Sequence, residues 1–231
     1  MPFFLTDRDS TITERMDDPS CDTVKLFNTY KQFWWINRFL SKWDRIYKNE
    51  IRPILKNQNG TASLLDIGFG GGDIPIQLDR LAKKDGFKLQ ITAIEADKRS
   101  LDFADKLDTP SNIHFENILS TEILRQQKKF DLVISNHVIH HLDNETLQKI
   151  CKEAEQLATQ KVIFNDLKRS DWAYLFFFIF SKLLFWNSFV SEDGLISLKR
   201  SYTFKELSAI APKGWTVKKL FPFRLVLSYD H

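Results

Sequence analysis

Two stretches of this 231-residue chain bring together residue types that do chemistry. The first is LLDIGFGGGDIP, Leu64 to Pro75, where four glycines fill five positions behind an aspartate and an apolar run. Glycine has no Cβ, so it takes up positive φ and lets another molecule approach the main chain closely. A buried strand that ends in such a turn and then enters a helix is a pattern that cradles nucleotide-like ligands. The second stretch is SNHVIHHLD, Ser135 to Asp143, which holds His137, His140 and His141, three of the five histidines. Histidine offers a base near neutral pH. In a helix, His137 and His141 would share a face at i, i+4. That spacing permits a metal ion, but no HExxH acid accompanies it, and no metal is expected.

The surrounding pattern supplies elements to position both stretches. Ser63–Ile67 reads as a short buried strand and Asp73–Lys84 as the helix after it, with Ile74, Ile76, Leu78 and Leu81 apolar. Lys88–Ile94 reads as a second strand ending in Glu95. Asp97–Leu107 follows as a helix with Asp97 as its N-cap. A short strand at Asn112–Phe115, a short helix at Ser120–Gln127, a strand at Phe130–Ser135, a helix at Asn144–Ala158 and a strand from Lys161 continue the alternation. Repeated strand–helix units imply right-handed crossovers and a mainly parallel sheet with helices on both faces. After a short helix at Thr203–Ile210, Trp215–Leu220 and Arg224–Ser228 form a hairpin around Phe221–Phe223. Met1–Cys21 is polar and reads as loose. Asp22–Asn57 reads as helical, with Pro53 dividing or kinking it.

The ligand of the glycine loop is narrowed by what the loop lacks. A dinucleotide fingerprint started at Gly68 needs a third glycine at Asp73, and one started at Gly70 meets Pro75. No Gly-Lys-Ser/Thr follows, so it is not a P-loop. What stands is Asp66-x-Gly68-x-Gly70-x-Gly72. With an acid ending the second strand and a terminal hairpin, this resembles the class I S-adenosylmethionine-dependent methyltransferases, from about Asp22 to the C-terminus. RMDDPSCD, TYKQFWWIN and DGLISLKRSYTFKEL further resemble a bacterial small-molecule subgroup found near polyketide and phenolic-lipid pathways.

The resemblance implies an α/β, Rossmann-like, seven-stranded, mainly parallel sheet with a C-terminal antiparallel hairpin. It implies an N-terminal helical extension or cap over residues 1–57, and a methyltransferase domain over 58–231 with an apolar helical insertion at about 168–200. It implies S-adenosylmethionine as cofactor and S-adenosylhomocysteine as product. Asp66, Gly68, Phe69, Gly70 and Gly72 would hold its methionine part and Glu95 its ribose diol, with Ala96, Asn117 and Asn136 completing the site. Phe69, where relatives carry a smaller residue, would narrow the cleft. The edge after the fourth strand lies beside the donated methyl, which makes His141, then His137, the expected base. The expected reaction is methylation of a small apolar or aromatic acceptor, on oxygen of a phenolic or polyketide-derived compound. The competing readings are a methyltransferase acting on RNA or protein, and a non-catalytic donor-binding module.

DWAYLFFFIFSKLLFWNSFV, Asp171 to Val190, is nearly long enough to span a bilayer. Lys182 sits in its middle, and the chain must return to the same sheet, so it reads as a cap. Tyr30, Trp34, Trp172 and Phe176 would line an apolar substrate pocket, with peripheral membrane contact at its mouth. A net charge of +3 spread along the chain gives no nucleic-acid footprint. Cys21 and Cys151 suggest neither a disulfide framework nor a zinc site. The N-terminus has no basic region followed by an apolar core, so a cytoplasmic location is expected.

Overall fold

The computed structural model describes residues 2–231. Its strands are β1 Thr61–Ile67, β2 Lys88–Ile94, β3 Ile113–Glu116, β4 Phe130–Asn136, β5 Ala158–Leu167, β6 Thr216–Leu220 and β7 Arg224–Asp230. They form one seven-stranded sheet in the order β3-β2-β1-β4-β5-β7-β6. Pairings from β3 to β5 are parallel, and β7 runs antiparallel to both β5 and β6. The parallel strands read as apolar runs because both faces are covered. On one face α7 (Asn144–Leu157) buries Leu147, Cys151 and Ala154 against Val133, Val162 and Phe164. On the other, α4 (Asp73–Lys84) buries Ile74, Leu78 and Ala82 against Leu64, Ile91 and Ile134.

The remaining helices are α1 Thr23–Ile36, α2 Trp43–Ile46, α3 Arg52–Asn57, α5 Lys98–Ala104, α6 Ser120–Arg125, α8 Asp171–Leu184, α9 Val190–Arg200 and α10 Phe204–Ile210. The N-terminal helical run breaks at Lys42, which takes a left-handed conformation at φ 59°. Pro53 stands where the run divides: a π-helical turn, Tyr47–Ile51, ends just before it, and α3 starts at Arg52 with the proline in its first turn. The insertion folds as α8 and α9, and Gly194 of α9 leaves room for the Phe177 ring of α8; a Cβ there would stand 2.3 Å from it. Among the described residues no helix is long and apolar enough to cross a membrane.

The N-terminal segment is not loose. Arg169, fully buried at the end of β5, donates to the carbonyls of Leu5 (2.9 Å), Thr6 (3.1 Å) and Ser201 (2.7 Å). Arg8 donates to the carbonyls of His140 (2.8 Å) and Leu142 (2.7 Å). Long-range arginines thus turn a polar stretch into a strap across the molecule.

The order of strands decides where a ligand goes. The chain leaves β1 outward through β2 and β3, then returns to place β4 on the other side of β1. A crevice opens outside the carboxyl ends of the strands at such a reversal. The glycine loop follows β1 and the histidine segment follows β4, so both meet at this crevice.

Candidate active site

The crevice holds a cavity of about 680 Å³, a size suited to a small molecule. Its first half is the glycine loop. Gly68 has φ 83°, and a Cβ there would lie 2.4 Å from Val138 Cγ2, so the loop rests directly on the segment after β4. Gly70 has φ 53° and nothing within 4 Å of where its Cβ would be, so its bare backbone opens into space. Glu95, after β2, accepts from the Gly70 N–H at 3.1 Å and the Ala96 N–H at 2.8 Å, which fixes its carboxylate beside the loop.

Behind the loop lies uncompensated negative charge. Asp66 is 1% exposed, and its Oδ1 has no hydrogen-bond partner. Burial, with Asp73 and Glu95 nearby, pushes its pKa well above the usual carboxylate range. Burial also pushes Asp73 up to about 6 and raises Glu95. A buried, unpartnered carboxylate oxygen beside an open glycine cradle fits a cationic nucleoside-type ligand.

The second half is built by α1 and the turn after it, α8, α9, the N-terminal strap and the histidine segment. Phe33, Ile36, Leu40, Phe177, Val190 and Leu198 make it apolar. The histidine segment is not a helix. His137 has φ 60° and a short 3-10 turn covers Ile139–His141, so His137 and His141 share no helical face. His140 is buried, with Nδ1 2.7 Å from Asp166 Oδ1 and Nε2 3.3 Å from Glu14 Oε1. Burial alone would lower its pKa, but Asp166 and Glu14 raise it to about 9. Burial would likewise raise Asp166, and His140 holds it well below the usual range. His141 is 27% exposed, with Nδ1 3.3 Å from Asp17 Oδ2 and Nε2 3.7 Å from Glu14 Oε1.

His137 is differently placed. Its Nε2 lies 2.8 Å from Arg224 Nη1. Arginine only donates, so this nitrogen accepts and its lone pair is engaged. Burial, then the Arg224 charge, lower the His137 pKa well below the ordinary value.

The comparisons with known proteins bear on this geometry. Residues 64–161 match a family model described as a methyltransferase domain. Those residues therefore carry a methyltransferase domain. A curated relative, the ubiquinone biosynthesis O-methyltransferase of Rickettsia bellii (strain OSU 85-389), is 28% identical over 170 residues, 69% of this chain and 68% of that one. The plantazolicin methyltransferase BpumL, solved with a triazolic desmethylPZN analog and SAH, shares the fold at 13% identity and TM-score 0.60, covering 90% of this chain and 97% of that one. An O-methyltransferase family protein from Burkholderia thailandensis does so at 11% identity and TM-score 0.62, covering 87% and 58%.

Of the expected site residues, Asp66, Gly68, Phe69, Gly70, Glu95, Ala96, Asn136, Tyr30, His137 and His141 all border the cleft. Several do so differently from expectation. The Phe69 ring does not narrow the opening; it packs at a tilt, centroid 4.7 Å from that of Phe115, in a small cluster with Ala93 and Ala104. Tyr30 backs the glycine loop, 3.1 Å from where a Gly71 Cβ would be, and pairs its hydroxyl with Ser100 at 2.8 Å. The Asn136 side-chain oxygen Oδ1 already accepts from Trp43 (3.0 Å), Arg224 (3.1 Å) and Asn165 (3.2 Å).

Other expected residues lie off the cleft. Gly72 faces Phe115, 2.9 Å from where its Cβ would be. Asn117 spends its amide on the carbonyls of Glu95 (2.7 Å) and Ala96 (2.9 Å), and Ile118 and Leu119 border the cavity in its place. Trp34 packs towards α4 beside Gln77 and Arg80. Trp172 and Phe176 point to solvent, and Phe177 is the α8 residue that turns inward. Sequence reasoning missed Glu14 and Asp17, whose place depends on the strap, and the pairing of His140 with Asp166.

Proposed function

We propose that the chain transfers the methyl group of S-adenosylmethionine to a hydroxyl oxygen of a small, apolar, phenolic or polyketide-derived acceptor. The observation that carries this reading is one cleft in which an acid-backed glycine cradle meets an apolar wall across a histidine pair. Asp66 would hold the donor's ammonium group, Gly68 and Gly70 its methionine part, and Glu95 its ribose diol. Ala96, Ile118 and Leu119 would flank the adenine. When bound, the donor supplies a methyl group on a positively charged sulfur.

The protein's own residues then align and exclude. Displacement at carbon needs the acceptor oxygen in line with the departing sulfur, so positioning is the larger part of catalysis. Phe33, Ile36, Leu40 and Phe177 orient an aromatic ring and keep water out. The hydroxyl proton leaves towards His141 Nε2 and Glu14 Oε1, which lie 3.7 Å apart. The cationic side chains among the cleft residues are Arg200 and Arg224, both buried. They leave no basic track for a nucleic acid. The curated O-methyltransferase relative supports oxygen as the methylated atom.

The outer face of α8 belongs to the same reading. Trp172, Phe176, Ile179 and Leu183 are exposed there, and Leu40 is both exposed and part of the cleft wall. An apolar acceptor would enter from a lipid surface resting against this face.

Incubation with methyl-labelled donor and a panel of phenols, RNA and peptides tests the reading. Label in a phenolic ether is expected; label in RNA or peptide, or in none of the panel, contradicts it. His141→Ala should lower turnover by about 10²–10⁴-fold with donor affinity kept. Wild-type turnover in that variant would remove His141 from the chemistry.

A further inference from the structure

Glu14, His140 and His141 are arranged more elaborately than proton transfer requires. Both histidines turn Nε2 towards one carboxylate oxygen, Glu14 Oε1, at 3.3 and 3.7 Å. Both present Nδ1 to a second carboxylate: Asp166 at 2.7 Å for His140, and Asp17 at 3.3 Å for His141. A metal-bound histidine gives its other N–H to a carboxylate in this way, which fixes the ring and its tautomer. Here the arrangement occurs twice around one point.

The spacing fits an ion. The three atoms that would ligate it lie within 4.8 Å of one another. A tetrahedral cation with bonds of about 2.0–2.2 Å holds its ligand atoms about 3.3–3.6 Å apart, close to the 3.3 and 3.7 Å between Glu14 Oε1 and the two Nε2 atoms. The surroundings also fit. Glu14, Asp17 and Asp166 bring three carboxylates to two imidazoles. Ser197 Oγ donates to Glu14 Oε1 at 2.7 Å. The nearby cations, Arg8 and Arg200, are occupied with main-chain carbonyls: Arg8 with His140 at 2.8 Å and Arg200 with His141 at 3.0 Å. They hold the histidine turn in place.

We propose that Glu14, His140 and His141 bind a divalent transition-metal cation of the zinc type, with a further position open to the cleft. Three protein ligands and an open position is the layout of metal sites that act on a bound oxygen. The neighbouring cluster of His137, His140 and Asp166 does not serve, because Arg224 donates to His137 Nε2 at 2.8 Å and places a cation there. The open position faces the apolar wall, so its occupant is the acceptor's hydroxyl oxygen; this clause alone rests on the acceptor reading above. With the cation bound, His141 and Glu14 serve as its ligands in place of proton acceptors, and the cation favours loss of the hydroxyl proton to water. The oxygen lone pair then forms the new C–O bond as the C–S bond breaks, and the bonding pair leaves with sulfur. An ether, a neutral thioether and one proton result, with no redox change.

The test uses the full chain, stripped with a chelator and titrated with cobalt(II) without donor or acceptor. One equivalent should bind and produce the visible bands of low-coordinate cobalt with nitrogen and oxygen ligands. His141→Ala and Glu14→Gln should each lose the bands and weaken binding at least 100-fold. Asp17→Asn, which removes only an outer carboxylate, should weaken it about 10–100-fold. His114→Ala, on β3 and exposed, should change nothing. A folded wild type that takes up no cobalt, or bands that persist in both His141→Ala and Glu14→Gln, would overturn the site. If His141→Ala loses its circular dichroism signal, Glu14→Gln and Asp17→Asn decide. The readout contains no methyl transfer, so its failure is distinct from failure of the acceptor reading.

Discussion

Asp66 and Asp73 stand close together, nearly buried, with Glu95 beside them and no ion-pair partner among the described residues. Ionising them inside the cleft is costly, and a cationic donor would relieve that cost. In the proposed reading the donor's ammonium group needs Asp66 ionised, and the Asp73 charge adds to its attraction. Affinity should therefore fall as the pH drops below about 6, where Asp73 takes up its proton. The fall should be about tenfold per pH unit for each proton that binding must displace. Calorimetric titrations from pH 5 to 8 check this; a flat affinity would contradict it. That Asp66, Gly68 and Gly70 come together at one cleft was readable at this scale because they lie within one short turn, where spacing alone sets geometry. The acceptor side was not. An aromatic residue on a helix such as α8 can face either way, which is why Phe177 lines the cleft and Phe176 does not.

At the scale of elements, β2 and α4 have the boundaries their patterns predict, Lys88–Ile94 and Asp73–Lys84. Apolar runs and helical periodicity are local properties, so they survive in the sequence. The strap from Leu5 to Asp17 is held by side chains over 150 positions away, and no local pattern announces that. Arg169→Met tests it. The change leaves the carbonyls of Leu5, Thr6 and Ser201 without their donor, at a cost of roughly 1–3 kcal/mol for each one left buried and unpaired. We expect a loss of about 3 kcal/mol in denaturant unfolding and new protease cleavage before Asp17. Wild-type stability and protection would mean that other contacts hold the strap. The strap also delivers Glu14 and Asp17 to the histidines, so the proposed chemistry depends on it.

Across the whole molecule, the sheet's strand order sets the crevice, and the insertion sets what can enter it. Alternating strands and helices made the parallel sheet legible, and the hairpin pattern made its antiparallel edge legible. The outward face of α8 was legible as apolar but not as exposed, because composition does not reveal whether a partner helix covers it. If that face rests on lipid, the chain should co-sediment with phospholipid vesicles. Phe176→Ser with Ile179→Ser, both exposed and off the cleft, should lower that binding severalfold and leave donor affinity unchanged. No vesicle binding by the wild type would contradict membrane contact.

The most direct measurement is a calorimetric titration of the chain and of Gly70→Val with S-adenosylmethionine. The wild type should bind with a dissociation constant in the micromolar-to-millimolar range usual for enzyme substrates. Gly70→Val should not bind, because a β-branched side chain at φ 53° is strained and fills the open cradle. A folded wild type that does not bind, or equal affinity in the two proteins, would contradict the account.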